Sequence, residues 1–142
     1  EPKRQLALRL GAEHVVDTAQ PNWPAEVRRL TGKRGVEVAI EHIGGTVLPK
    51  VFECVARGGT VVTCGATAGR QIQFDLWPFF VKQQRLIGSY GSSRADLRQT
   101  LAWAADGRLQ PVVDAVFPLD RAAEAFARLR ARQVLGKLII AP

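Results

Sequence analysis

Short β-branched runs alternate along this chain with helix-length amphipathic segments, and brief Gly-rich turns join them. Val36–Ile40, Thr60–Cys64 and Arg85–Tyr90 are the clearest runs, with a helical pattern between each pair. This alternation leaves few folds open. Strands separated by a crossover helix lie parallel, and a parallel sheet is covered by helices. The expected class is α/β, with a mostly parallel sheet and helices on both faces. Ligands of such sheets sit at the carboxyl ends of the strands.

At the start of the chain, Leu6, Leu8 and Leu10 set among Lys3, Arg4 and Arg9 read as a short helix stopped by Gly11. His14–Asp17 then reads as a strand, so this pair has the form of the second half of a βαβ unit. Trp23–Leu30 is helical in pattern, with Pro24 suited to the first helical position and Gly32 and Gly35 marking the exit. Thr46 caps a helix expected to run through Arg57, with Val47, Val51, Cys54 and Val55 on one face and Gly58-Gly59 ending it. An aromatic segment around Phe74, Trp77, Phe79 and Phe80 makes one or two helical turns. Ser92 or Ser93 caps a helix over Arg94–Ala105. Val112–Phe117 is a strand, Leu119–Arg132 a helix and Leu138–Ile140 a final strand.

Composition narrows the class further. A length of 142 residues suits one domain better than two, and 46% hydrophobic with 23% charged residues is ordinary for a globular protein. No apolar run approaches the roughly 18 residues of a membrane helix, and no signal-peptide pattern opens the chain. The expected location is cytoplasmic, with no membrane partner. Cys54 and Cys64 make neither a disulfide framework nor a four-cysteine zinc site, and they read as two buried thiols in a reducing compartment. The net charge is +7, but fifteen of the twenty basic residues are arginines scattered over several helices. Near Arg28-Arg29 and Lys33-Arg34 no aromatic or Gly-rich motif joins in, so a solvated exterior is expected rather than a nucleic-acid surface. The chain has no methionine and starts at Glu1, and it is expected to be part of a longer polypeptide.

Three turns follow the predicted strand ends: Glu41-His42-Ile43-Gly44-Gly45, Cys64-Gly65-Ala66-Thr67-Ala68-Gly69 and Ser89-Tyr90-Gly91-Ser92-Ser93. Each is rich in glycine and small residues. Small side chains let a flat ring approach the backbone, whose N–H and C=O groups bind an amide. One such turn says little, but three in register point to a common site.

With these turns in place, the sequence resembles the medium-chain dehydrogenases/reductases, which include zinc-type alcohol dehydrogenases and quinone oxidoreductases. Lys3, followed eight residues later by Gly11-Ala12 and a Val-Val strand, is similar to the family's second βα turn and third strand. The segments IEHIGG, ARGGTVVTCGATAG, KQQRLIGSYGSS, ADGRLQPVVDAVFPLDRAAEAFARL and GKLII follow in the family's order. The resemblance covers nearly the whole chain. It implies a Rossmann-like domain lacking the first βαβ element, because the family's first strand, Gly-rich turn, helix and second strand would precede Glu1. Residues 1–110 would be the truncated NAD(P)-binding domain, and 111–142 a segment that in the family returns to the catalytic domain.

The resemblance also implies a function. The parent would be an NAD(P)-dependent oxidoreductase of alcohol dehydrogenase or quinone/enone reductase type, moving hydride between the nicotinamide and a carbonyl, alcohol or enone. This segment alone is expected to be inactive. The cofactor is NADP or NAD; zinc is possible in the parent but is not expected to be bound by this segment. By the resemblance, Lys3 approaches the adenosine ribose or its 2′-phosphate, or is a solvent-exposed helix lysine. His42 and Ile43 line the nicotinamide side, with His42 either a lining residue or a partly buried core histidine. Cys64 and Ala66 flank Gly65 where the family's backbone meets the nicotinamide carboxamide, and Ser89 and Gly91 fall at a second strand end that does the same. Lys137 either reaches the cofactor phosphates or is a strand-edge lysine. No residue here is given a catalytic or metal-binding role.

The Arg85–Tyr90 strand is expected to pair with its copy in a homodimer, because an apolar edge with Leu86, Ile87 and Tyr90 and no proline invites such pairing. The competing expectation, of another class, is a non-catalytic dimerisation or scaffold module, favoured by the lack of a phosphate-cradling turn.

Overall fold

Parallel pairing of β-branched segments organises the central part of the chain. In a computed structural model, which describes residues 1–142, β1 (Val36–Glu41), β2 (Val55–Thr63) and β3 (Arg85–Gly88) form a parallel sheet in that order. Ala39 pairs with Val61 and Ile40 with Val62, and these continue to Leu86 and Ile87 on β3. The helix α2 (Trp23–Leu30) precedes the sheet, while α3 (Val47–Cys54) and α4 (Leu76–Val81) make the crossovers. The chain divides into two compact units, Glu13–Gly91 holding this sheet and Glu1–Ala12 with Ser92–Pro142 forming the other.

The core of the first unit follows from alternation on the strands and the apolar stripe on α3. Leu48 and Phe52 of α3 pack on Val55 and Val61, both fully buried on β2, with Val36, Ala39, Ile72, Phe74 and Phe79 around them. Phe52 stacks on Phe74 with centroids 5.0 Å apart and meets Phe79 edge-on at 5.4 Å. The alternate face carries Val38 and Ile40, which remain exposed.

The helix α3 stops three residues before the expected end. Val55 at its C-terminus is already extended and pairs with Val36, and β2 then bulges through Arg57–Gly59 before Thr60 aligns with Val38. The buried side chain of Gln84, just before β3, donates through Nε2 to the carbonyls of Phe52 at 3.0 Å and Val55 at 2.8 Å. Those bonds cap the helix from thirty residues away, which no local signal encodes. Thr46 precedes α3 without a side-chain capping bond. His14–Asp17, expected as a strand, belongs to no sheet; an apolar run becomes a strand only where a neighbouring backbone supplies a ladder, and none does here.

In the second unit, α1 (Pro2–Arg9), α5 (Arg94–Ala105) and α6 (Ala122–Arg130) accompany β4 (Val113–Pro118) and β5 (Lys137–Ala141), which pair in parallel. Residues Leu119–Arg121 form a single 3-10 turn where the regular helix was expected to begin. Phe117 of β4 is buried, and the guanidiniums of Arg121 and Arg128 lie 5.7 and 5.8 Å from its ring centre. Arg128 also pairs with Asp114 at 2.8 Å, tying α6 to β4. Ser93 starts α5 with a reciprocal cap: the Asp96 N–H donates to Ser93 Oγ at 3.2 Å, and the Ser93 N–H donates to Asp96 Oδ2 at 2.8 Å. The hydrogen bonds from Ser93 hold the Asp96 carboxyl below its ordinary range.

Replacing Phe52 by Ala should cost about 3–5 kcal/mol, the usual range for removing a buried phenyl ring, read as a lower urea midpoint. Ser93→Ala should cost α5 about 1 kcal/mol, read as faster amide exchange in its first turn. Because Asp96 titrates below the ordinary 3.8 when folded, its support of α5 is complete above that pH and disappears as pH falls through the lower folded value. The same exchange measurement along an acid titration should show the loss beginning at higher pH in S93A.

Candidate functional site at the strand carboxyl ends

The three strands end side by side, and the turns that follow the first two meet. Glu41, Thr63 and Gly88 close the strands, and the backbone continues the ladder past them: the Cys64 N–H donates to the Glu41 carbonyl at 2.9 Å and the Ser89 N–H to the Thr63 carbonyl at 2.9 Å. The first two turns are then zipped together. The Ala68 N–H donates to the Ile43 carbonyl at 2.8 Å and the Gly45 N–H to the Gly69 carbonyl at 3.0 Å. Glycine is required for this approach. A Cβ on Gly44 would lie 2.7 Å from the Gly69 oxygen and one on Gly45 2.6 Å from the Ala68 oxygen, while one on Gly65 would collide with the His42 carbonyl.

Six of the eight residues expected at the site lie on these turns. His42, Cys64, Ala66, Ser89 and Gly91 are exposed and Ile43 is half-buried. The N–H groups of Ala66 and Gly91 meet no acceptor within the protein, leaving donors at the strand ends that suit a carboxamide. Lys3 and Lys137 belong to the other unit: Lys3 is exposed on α1 at a cleft of about 500 Å³ shared with Asp114 and Arg132, and Lys137 is exposed at the first position of β5.

The residue that sequence reasoning missed is Glu41. Its side chain is only 4% exposed, yet it is a carboxylate. Its Oε1 accepts the N–H groups of Ile43 at 2.5 Å and Gly44 at 2.7 Å, and its Oε2 accepts the Thr63 hydroxyl at 3.3 Å. The available signal was an acidic residue closing an apolar strand, with two glycines three and four positions on.

The two cysteines differ, against the expectation that both are buried. Cys54 faces the core from α3, and burial pushes its thiol up to about 11. Cys64 starts the second turn and is exposed, its thiol 3.7 Å from the Glu41 carbonyl. No cluster of three or more His, Cys, Asp or Glu side chains is placed to hold a metal ion. Five arginines are paired with carboxylates, which disperses the basic excess. No helix is long and apolar enough to cross a membrane.

Comparison with known proteins places this geometry in a lineage. The chain is 28% identical over 148 residues to a quinone oxidoreductase-like protein 2 homolog of Nematostella vectensis, with 97% of this chain and 40% of that protein covered. It is 28% identical to a 2-haloacrylate reductase of a Burkholderia species, covering all of this chain and 46% of the relative. A crystal structure of an NAD-dependent alcohol dehydrogenase superposes with a TM-score of 0.86 at 34% identity, over 98% of this chain and 40% of the other. The chain thus spans about two-fifths of the length of these relatives. The family model for zinc-binding dehydrogenases matches residues 10–140, and the chain, α/β and Rossmann-like, belongs to that family within the medium-chain dehydrogenases/reductases.

Proposed function

We propose that this chain is the nicotinamide-binding part of an NAD(P)-dependent oxidoreductase that transfers hydride to or from a carbonyl, alcohol or enone. The observation that supports the reading best is the hydrogen-bonded set of small-residue turns at the carboxyl ends of three parallel strands, where ligands of such sheets bind. The names of similar proteins agree with it: a quinone oxidoreductase-like protein, a haloacrylate reductase and an NAD-dependent alcohol dehydrogenase.

In this reading, residues 1–110 serve the dinucleotide and 111–142 serve the remainder of the enzyme. The bound cofactor, NAD or NADP, supplies the hydride chemistry. His42 and Ile43 flank the nicotinamide ring. The backbone at Cys64, Ala66, Ser89 and Gly91 holds its carboxamide and thereby fixes which ring face meets the substrate. Lys3 and Lys137 offer cations to the ribose or phosphates. None of these side chains is assigned a proton-transfer role. The zinc named by the family finds no ligand set among these residues, and no step here passes through it.

The same reading includes a homodimer through β3 and the residues after it, Arg85–Tyr90. β3 is an edge of its sheet, and Leu86 and Ile87 on it are exposed. An unpaired apolar edge is a template for a second strand.

The test is fluorescence titration of the native polypeptide containing this chain with NADH and NADPH. Saturable binding is expected, and absence of binding to either would overturn the proposal. Bound cofactor should slow maleimide labelling of Cys64, while Cys54 should stay unlabelled at neutral pH with or without it. Replacing Leu86 and Ile87 together by Lys should halve the mass seen by sedimentation; an unchanged mass would remove β3 from the interface.

A further inference from the structure

We infer that Glu41 is a positioning residue for the nicotinamide end of the site, acting through the backbone of the two turns and not by touching the cofactor. This role rests on the function proposed above. A carboxylate removed from water is strongly unfavourable unless its oxygens are matched by donors. Glu41 is matched on both oxygens, by the N–H groups of Ile43 and Gly44 on the turn that follows it and by the hydroxyl of Thr63 on β2. Its main chain adds a third tie, since its carbonyl accepts the Cys64 N–H.

The consequence for the site is geometric. The two N–H groups drawn inward onto Oε1 set the peptide planes of Ile43 and Gly44. With those planes set, the Ile43 carbonyl meets the Ala68 N–H, and the Gly45 N–H meets the Gly69 carbonyl. Gly44 is itself buried and Ile43 half-buried, so water is a poor replacement for the lost acceptor at the Gly44 N–H. His42 lies between Glu41 and Ile43, and Cys64 and Ala66 lie on the turn being gripped. One side chain therefore controls the mutual placement of four residues assigned to the nicotinamide. An amide in its place keeps one acceptor oxygen for the two N–H groups but presents NH2 to Thr63, whose hydroxyl can turn to accept it. Alanine leaves both N–H groups orphaned.

The test measures two ligands on the native polypeptide: NADH or NADPH, whichever wild type binds more tightly, and ADP-ribose carrying the matching 2′ group. Glu41→Ala should weaken the dinucleotide roughly tenfold while changing ADP-ribose by less than about twofold, as expected for losing a charged acceptor that serves only the nicotinamide end. Amide exchange should quicken at Ile43 and Gly44 while Val61 stays protected. Glu41→Gln should show the same selectivity at about threefold, and it carries the test if the alanine variant does not fold. Equal weakening of both ligands, or no change in either, would overturn the role of Glu41 alone. Failure of wild type to bind the dinucleotide would overturn the proposed function and this inference with it.

Discussion

Every backbone N–H and C=O group that leaves a helix or sheet inside a protein must find a new partner. In the sheet-bearing unit two buried polar side chains meet this requirement at the turn leaving β1 and at the end of α3. Glu41 supplies acceptors to the turn leaving β1, and Gln84 supplies donors to the carbonyls at the end of α3. They are the buried polar residues of the chain, and no buried side-chain nitrogen or oxygen is left without a partner. Their chemistry matches their position: a carboxylate only accepts, as the loose N–H groups require, and an amide NH2 donates twice, as two carbonyls require.

Around these two points the apolar packing and the polar site become one arrangement. Val61 and Val55 place β2 against Phe52, and the ladder from Ala39 and Ile40 through Val61 and Val62 to Leu86 and Ile87 brings the three strand ends level. Level ends put the turns after β1 and β2 beside one another. Such an approach of backbone to backbone needs little from side chains except that they stay small, which is why glycine stands where the turns come closest. Leu86 and Ile87 on the sheet edge, like Val38 and Ile40 on β1, are left outside this packing.

Much of this was readable in the chain. The helix Trp23–Leu30 appears where Pro24 and an apolar stripe placed it, and the helix Arg94–Ala105 appears with the Ser93 cap that its first turn foretold. The strands β1 and β3 start at the expected residues, and the turns after them carry the expected site positions. The misses share a cause. His14–Asp17 has strand composition but no neighbour to pair with. The helix α3 yields at Val55 because that residue gains more from pairing with Val36 and filling the core than from another helical turn.

The sequence by itself determined the order of elements, the parallel class and the three glycine-rich strand ends, because periodicity, caps and turn chemistry act over a few neighbouring residues. Only the tertiary structure decided where α3 stops, which cysteine is exposed and that Glu41 grips two turns at once. The helix end and the turns each depend on a partner far along the chain: Gln84 for the first, Thr63 and Gly69 for the second. Local pattern carries no record of which distant backbone will arrive, so a buried carboxylate at a strand end reads as an ordinary acidic residue until its donors are in place.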